Sequence, residues 1–358
     1  MSAFADSQSH SRGVINGLND LMNDGFVTWA NWTKDPEDNA IFTNDYSSGA
    51  TNLVFGEHGT KVYATDGDGD GLFTPVQQIQ DTWYYTPKRY WHRGTYTFVA
   101  ALPASAFNAS CVNVEADATG TANITGTLGL DNTLTMTFGH DENENPLGFD
   151  LSANQIDLMV AFSDVDNCDE NASVAQLNFM NHHFAQIVIE AASVDENADI
   201  IVDEVVFFGN HKATTGPITF TKEKEKEKEV VIASYEIDSA TATDKENPYM
   251  VISSINQELP HAEKADGSWE HTYNPIVTGL LVFPEESRMT IVVRYRTFMS
   301  DNTVTSEQIE GTVTTSTPVT WFEGMKHLYK LQISRHRVDI VSTGVMEWDD
   351  EDITHTFS

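Results

Sequence analysis

The chain has 358 residues, of which 40% are hydrophobic and 10% aromatic, so a wholly disordered protein is excluded. Its formal net charge is −34, with 54 acidic against 20 basic residues, and a field of that sign repels nucleic acid and anionic lipid headgroups. No apolar run approaches the roughly 18 residues of a membrane-spanning helix, and the length is sufficient for two ordinary domains.

The N-terminal region carries a candidate processing site. Residues 1–6 contain neither a basic n-region nor an apolar h-region, so a secretion signal is expected outside this sequence. Arg12 is the first basic residue, and the next is Lys34. Between residues 12 and 24, apolar side chains recur on one helical face until Gly25, which predicts one short helix.

An acidic, glycine-rich stretch resembles half of a calcium-binding loop. Asp66, Asp68 and Asp70 occupy positions 1, 3 and 5 of such a loop, and a glycine follows at position 6. The twelfth position is Gln77 instead of the bidentate glutamate, and no helix clearly flanks the loop. The pattern favours a solvated hairpin tip, with a weak structural calcium site as the alternative.

The most aromatic part of the chain follows at residues 83–91. Trp83, Tyr85 and Trp91 share parity, so in an extended strand they lie on one face. Such rings are typical of a β-sandwich core, which is the favoured interpretation. An aromatic platform for sugars is the alternative.

Neither the cysteines nor the adjacent histidines form a recognisable site. Cys111 and Cys168 do not make a disulfide framework, and the sequence is equally compatible with a single bridge and with two free thiols. His182 and His183 would point to opposite faces of a strand, so we predict that they do not chelate one metal as a pair.

Alternation with a period of two dominates the remaining sequence and predicts antiparallel sheets with one buried face. A run of alternating lysines and glutamates at residues 222–229 places all lysines on one side of a strand and all glutamates on the other. It is interpreted as a charged β-arm, with a mobile loop as the alternative. The clearest alternating segments are residues 133–138, 291–297 and 329–334.

No catalytic motif is present in the sequence. A nucleophile elbow, a His-Glu-x-x-His helix, a phosphate loop and a dinucleotide fingerprint are all missing. With 54 acidic residues, carboxylate pairs suited to glycoside hydrolysis arise by chance and are uninformative. We therefore predict that the protein is not an enzyme, and a secreted glycoside hydrolase is the remote alternative.

Several segments taken together resemble the fimbrillin superfamily, the subunits of surface fimbriae in Bacteroidales. The aromatic stretch 83–91 with the strand that ends at Pro103 is similar to the first-domain pattern of that family. Residues 156–161 resemble the strand that closes the first domain. Residues 174–187 resemble the strand that opens the second domain, in which His182 is a packing residue. Residues 345–348 resemble the last strand, which ends at Trp348.

The resemblance implies an all-β fold of two tandem transthyretin-like Greek-key β-sandwich domains. We place the boundary in the polar stretch 164–171, which gives an N-terminal domain with an assembly groove at 1–167 and a C-terminal domain at 168–358. It further implies a lipid-anchored precursor at the outer membrane, trimming after Arg12, and assembly with copies of itself or related subunits by donor-strand exchange. Residues 353–357 form a short alternating tail that is a modest candidate for the donor strand.

The predicted function is therefore a structural or adhesive fimbrial subunit on the cell surface, without a cofactor unless calcium binds, and with host or bacterial surfaces as further partners. Shaft subunit, tip subunit and unpolymerised relative are all compatible with the sequence. The alternative is a surface glycan-binding β-sandwich that uses the aromatic residues Trp83, Tyr85 and Trp91.

Overall fold

In a computed structural model of the chain, the structure is almost entirely β. It describes residues 25–34, 53–56, 58–64, 83–85, 94–107, 124–138, 147–168, 175–178, 182–195, 198–225, 228–244, 246–259, 261–263, 269–299, 308–315, 317–348 and 354–357. Within these ranges there is no α-helix, and no helix is long and apolar enough to cross a membrane. The two short helical turns are 3-10 helices at Ala104–Ala106 and Ser239–Thr241.

The strands are numbered in chain order. They are β1 Phe26–Lys34, β2 Thr60–Ala64, β3 Trp83–Tyr85, β4 Gly94–Leu102, β5 Thr125–Leu128, β6 Leu134–Thr137, β7 Met159–Cys168, β8 Ala175–Asn178, β9 Ala185–Ser193, β10 Ala198–Phe208, β11 Ile218–Glu225, β12 Lys228–Ser234, β13 Met250–Ile252, β14 Gln257–Leu259, β15 His261–Glu263, β16 Trp269–His271, β17 Asn274–Val282, β18 Glu286–Ser287, β19 Thr290–Met299, β20 Ile309–Thr314, β21 Val319–Thr320, β22 Met325–Ile333, β23 Val338–Glu347 and β24 Thr354–Phe357.

Four sheets build the body of the protein. Sheet I has the order β3-β2-β1-β4-β7, and sheet II has the order β12-β11-β6-β5. Sheet III has the order β17-β9-β22-β23, in which β9 and β22 run parallel. Sheet IV has the order β13-β10-β19-β20, with β14 also paired to β10. Short pairs join β15 to β16, β18 to β21 and β8 to β24.

The first core lies between sheets I and II. Trp29 on β1, Val99 on β4 and Val160 on β7 face Met136 on β6 and Phe220 on β11. The ring of Trp29 packs so closely on sheet II that a Cβ on Gly126 would lie 2.3 Å from it, so this glycine allows the two sheets to approach. The opposite face of sheet I is also buried, and we call that layer the outer cluster.

The second core lies between sheets III and IV. Its members come from the inward positions of alternating strands, such as Ile187, Phe207, Ile291 and Leu331. The alternation predicted for residues 133–138 and 329–334 is confirmed, because β6 and β22 bury every second side chain. In β19 the predicted inward positions Ile291, Val293 and Tyr295 are buried, but Val292 on the other face is buried as well. These two cores account for most of the buried apolar residues that the structure describes.

The alternating lysines and glutamates form a β-arm, as predicted. Strands β11 and β12 pair antiparallel from Thr219↔Ser234 to Glu225↔Lys228. Ile218 and Phe220 at the base of the arm pair with β6 and enter the first core. The arm therefore follows the predicted boundary at residue 167 in sequence. It nevertheless extends sheet II, whose strands β5 and β6 precede that boundary. The boundary itself stays a prediction.

The segment 174–187, which resembles a single strand that opens a domain, forms two strands in different sheets. β8 pairs with β24, whereas β9 lies in the middle of sheet III. His182 lies between them and makes an isolated bridge to Met159 at the start of β7. The change of sheet occurs where the chain passes from the outer cluster, which contains Leu177 of β8, to the second core, which contains Ile187 of β9. The predicted helix at residues 12–24 lies outside the described residues.

Candidate assembly surface

The C-terminal strand of the chain is paired with a strand far away in sequence. β24 runs antiparallel to β8 in the register Thr354↔Asn178, His355↔Leu177, Thr356↔Gln176 and Phe357↔Ala175. Four residue pairs make this a short ladder, and β24 has no other strand partner among the described residues. The tail predicted as a modest donor strand does form a strand, and it lies on the chain's own body.

The strand that receives the tail belongs to the outer cluster. Leu177 on β8 is 2% exposed and shares this cluster with Ala100, Leu102 and Met159 from sheet I. β8 contacts β7, which precedes it in the chain and is an edge strand of sheet I. The backbone of β8 therefore presents an edge beside a buried apolar layer, which is the arrangement that an added strand requires.

The base of the tail is fixed to the body by Trp348. Its backbone N–H donates to the carbonyl of Gly324 at 3.3 Å, and its ring stacks on the imidazole of His182 with centroids 3.7 Å apart and planes within 6°. The Nζ of Lys326 lies 5.7 Å from the same ring. Trp348 is 7% exposed, so the chain is fixed to the body at this residue, a few positions before β24 begins.

A buried polar pair underlies this anchor. His182 Nδ1 and Asp157 Oδ2 are 2.8 Å apart, and both side chains are almost completely buried. Asp157 immediately precedes β7 of sheet I, and His182 precedes β9 of sheet III, so the pair forms a joint between the segments that lead into these two sheets. The imidazole and the carboxylate hydrogen-bond to each other in a buried site, where an unpaired charge would be costly.

The adjacent histidines contact different partners, as the sequence predicts for neighbouring residues. His183 Nδ1 lies 2.6 Å from Glu323 Oε1, whereas the partner of His182 is Asp157. His183 N–H donates to the carbonyl of Leu158 at 3.2 Å. Among the described residues, no group of three or more His, Cys, Asp or Glu side chains is close enough to hold a metal ion.

One edge of sheet III is capped by a side chain. The N–H of Leu281 on β17 donates to Gln155 Oε1 at 2.7 Å, and Gln155 Nε2 donates back to the Leu281 carbonyl at 3.2 Å. The hydroxyl of Tyr249 donates to the same carbonyl at 2.7 Å. Burial raises the pKa of Tyr249 well above its ordinary value, so the hydroxyl stays protonated. Gln155 thus replaces a neighbouring strand and blocks this edge at Leu281.

The other edge of sheet III is different. β23 has no strand on its outer side within the described chain, and Val341, Val345 and Met346 on it are 45–54% exposed. Within the described chain β23 pairs with β22 alone, and every second side chain of β22 is buried from His327 onward. Backbone pairing therefore holds β23 in place from one side only. Next to it, His327 on β22 accepts the N–H of Phe322 through Nε2 at 3.0 Å, and burial lowers the pKa of His327 to about 4.

The predicted site residues fall in different places. Arg12, the candidate calcium ligands Asp66, Asp68 and Asp70, and Trp91 lie outside the described residues. Trp83 and Tyr85 lie on β3, the edge strand of sheet I, where Tyr85 pairs with Val62 and Trp83 with Ala64. Their side chains are outside the described part of the structure, so neither the core nor the sugar-platform interpretation is decided.

Asp157 and Gln155 were not predicted. Asp157 is the one charged residue in the apolar run 156–161, and an acidic residue inside such a run is a signal for a buried pair. Gln155 carries no comparable signal. Its role depends on Leu281, which lies more than a hundred residues further along the chain.

Comparisons with known proteins give a loose structural likeness. No protein-family model matches the chain, and no curated protein matches it. The structural neighbours are candidate cell adhesion proteins and a fimbrial protein from Bacteroidales. The fimbrial protein, from Bacteroides vulgatus, is 16% identical, covers 91% of this chain and 94% of its own length, and has a TM-score of 0.45.

Two candidate cell adhesion proteins match over a similar extent. The protein from Bacteroides ovatus is 11% identical, covers 92% of this chain and 89% of its own, and has a TM-score of 0.39. The protein from Bacteroides uniformis is 15% identical, covers 91% of both chains, and has a TM-score of 0.35.

Proposed function

We propose that this protein is a non-enzymatic structural and adhesive subunit of a bacterial surface fimbria. Its copies, or related subunits, join by exchange of the C-terminal strand β24. The observation that carries the proposal is the pairing of β24 with β8, because a terminal strand already occupies a strand edge of the body. The sequence resemblance to fimbrillins points to the same role.

The physical basis of the exchange is strand addition. Antiparallel backbone hydrogen bonds are largely independent of sequence, so the tail of a neighbouring copy can make the ladder on β8 that the chain makes with itself. A tail that pairs with the next copy leaves its own β8 edge open to another tail. Such a head-to-tail contact does not close into a ring unless the rotation permits it, and it therefore favours a filament.

The remaining features of the proposal follow from the resemblance. The fold is two tandem transthyretin-like sandwiches, one around each core, and the precursor is lipid-anchored and displayed at the outer membrane. Trimming after Arg12 opens the groove in the first domain, next to β8, and the neighbour's β24 enters there to pair with β8. The role needs no cofactor, and a structural calcium ion at Asp66, Asp68 and Asp70 stays a prediction.

The test uses the full chain with trimming near Arg12. Replacing residues 354–357 with Gly-Ser-Gly-Ser keeps the length of the tail but removes its tendency to form a strand. We expect this variant to remain monomeric, whereas the unaltered protein forms a ladder of oligomers on gels run without boiling. His355→Val, which keeps a good strand former at the same position, is the matched control and should assemble.

Two results would oppose the proposal. One is a trimmed protein that stays strictly monomeric. The other is a Gly-Ser variant that assembles as well as the unaltered chain, which would assign assembly to another edge. Mass spectrometry of the native surface protein would report the mature N-terminus, any lipid and the partner subunits in one measurement.

A further inference from the structure

The outer face of sheet IV, which points away from the second core, carries a groove. Its volume is about 400 Å³, which lies within the roughly 300–1,000 Å³ of small-molecule pockets. Strands β10, β19 and β20 form its floor and one wall. The cross-strand rows on this face are Glu204–Arg294–Glu310, Val206–Val292–Thr312 and Phe208–Thr290–Thr314.

The floor of the groove is apolar although it lies outside both main cores. Val206, Phe208 and Val292 form a separate cluster and are 5%, 8% and 7% exposed. The inward neighbours on the same strands, such as Ile291 and Val293, fill the second core. Sheet IV therefore has an apolar patch on the face where alternation would normally place polar side chains.

One wall of the groove is a row of hydroxyl groups. Thr312 and Thr314 on β20 lie beside Val292 and Thr290 on β19, and the hydroxyls of Thr290 and Thr314 are 3.0 Å apart. A hydroxyl group both donates and accepts, so this row suits a ligand that itself carries several hydroxyl groups. The apolar floor and the hydroxyl wall together make a surface with two chemical sides.

At one end of the groove lies a cation that has no acidic partner in the part of the chain that the structure describes. Among the described arginines, Arg288 alone has no hydrogen bond or ion pair through its side chain, which is exposed. Arg294, at the other end, is neutralised by Glu204 and by Glu310, whose Oε2 lies 3.1 Å from its Nε. In a chain of net charge −34, an arginine without an acidic partner beside an apolar floor is the exception that points to an anionic ligand.

The rim that carries Arg288 is held in place by several contacts. Gly209 has φ +99° and packs on the Arg288 backbone so tightly that a Cβ would lie 1.9 Å from the Arg288 carbonyl oxygen. The N–H of Gly209 donates to Thr243 Oγ1 at 2.7 Å, and the Ser287 hydroxyl donates to the Gly209 carbonyl. Asp244, also on the rim, accepts the N–H groups of its own loop, at residues 246 and 247.

We propose that this groove binds a carboxylate-bearing sugar residue of a surface glycan. The C–H face of a pyranose ring packs on Val206, Phe208 and Val292, and its hydroxyl groups pair with the threonine row. The carboxylate pairs with the guanidinium of Arg288, a geometry that can be bidentate. The inference rests on the proposed adhesive role and names the class of ligand for it.

The matched probes are methyl glucuronide and methyl glucoside, which differ in the carboxylate. A methyl sialoside is the second acidic probe. Titrated into the purified full-length protein and followed by ligand-observed NMR, the acidic glycosides should bind at least about tenfold more tightly than the glucoside, as expected when a charged pair is lost. Arg288→Gln should remove that preference, and Thr312→Val should weaken the binding of all three sugars.

Arg337→Gln is the control, because Arg337 is largely exposed and lies in another sheet's turn beside Asp339. It should bind like the unaltered protein. Equal binding of glucoside and glucuronide, an unchanged Arg288→Gln variant, or no binding of either acidic glycoside would overturn the proposal. Displacement of the glucuronide by an equal concentration of acetate would also overturn it, since the groove would then be a simple carboxylate site. These titrations do not depend on polymer formation, so their failure leaves the strand exchange to its own test.

Discussion

The two cores differ in where their residues come from. Every buried member of the second core lies between Ala185 and Val338, so that part of the chain closes on itself. The first core draws its members from Val27 through to Trp348, and Phe220 and Phe283 come from segments that follow β8. The first core is therefore completed by later parts of the chain, whereas the second core needs none of the earlier ones.

The sheets show the same contrast. β4 of sheet I sends Val99 and Ala101 into the first core and Ala100 and Leu102 into the outer cluster, so both of its faces are buried. β19 of sheet IV buries one face, and its other face lines the groove. A sheet that is covered on both sides depends on contacts with other segments, and this makes the first core the more sensitive to changes at the joint between the cores.

The largest expected effect is at that joint. Asp157→Ala removes the carboxylate that pairs with buried His182, and breaking one partner of a buried pair costs about 3–5 kcal/mol. Urea unfolding followed by tryptophan fluorescence would measure the loss. Asp339→Ala removes an acid from the exposed pair with Arg337 and should cost less than about 1 kcal/mol. Equal losses in the two variants would contradict the dependence of the first core on this joint.

The next effect concerns acid and the second core. The pKa of His327 is lowered by burial to about 4, against about 6.5 in an unfolded chain. The unfolded state therefore binds more protons between these values, and stability falls as the pH falls from about 6.5 to about 4. For one histidine the loss approaches about 3 kcal/mol.

Urea unfolding at pH 7 and at pH 4.5 would test this effect. His327→Gln keeps an acceptor for the Phe322 N–H but does not titrate, so its stability should depend less on pH than that of the unaltered protein. His336→Gln changes an exposed histidine on a turn and should leave the pH dependence as it was. The same pH dependence in the His327→Gln variant would assign acid sensitivity to other groups.

The smallest of the three effects on stability is expected at the edge of sheet III that Gln155 caps. Gln155→Ala leaves the buried N–H of Leu281 without its acceptor, which should cost about 2 kcal/mol. Gln332→Ala removes one hydrogen bond to the hydroxyl of Tyr273 and should cost less than about 1 kcal/mol. Thermal or urea unfolding of both variants gives the difference, and a neutral Gln155→Ala would show that this amide does not stabilise the edge of sheet III.

Much of the strand content could be predicted because it depends on local patterns. The apolar residues Leu134 and Met136 alternate with threonines, and Tyr329 and Leu331 alternate with polar residues, so the pattern indicates which side chains are buried wherever the strand finally lies. The β-arm could be predicted from the separation of its lysines and glutamates onto two sides. The sheet that the arm joins could not be predicted, because the unpaired backbone groups of an edge strand can pair with strands of many different sequences.

The candidate sites show the same limit. The tail at residues 353–357 could be recognised as a strand. Its pairing with β8 could not be predicted, because four pairs held by backbone hydrogen bonds do not require particular residues in either strand. The groove brings together Phe208 on β10, Thr312 on β20 and Arg288, which lies between β18 and β19. None of these positions is unusual by itself. Only their proximity creates a surface with an apolar floor and an arginine that has no acidic partner among the described residues.

The sequence by itself determined that the protein is acidic, rich in antiparallel strands and free of a recognised catalytic motif, because charge, periodicity and motifs are properties of local sequence. The tertiary structure decided which edges are capped, which edge receives the tail, and where, within the described part of the chain, an arginine has no acidic partner. These are matters of distance between residues far apart in the chain, and they depend on how whole sheets pack and pair.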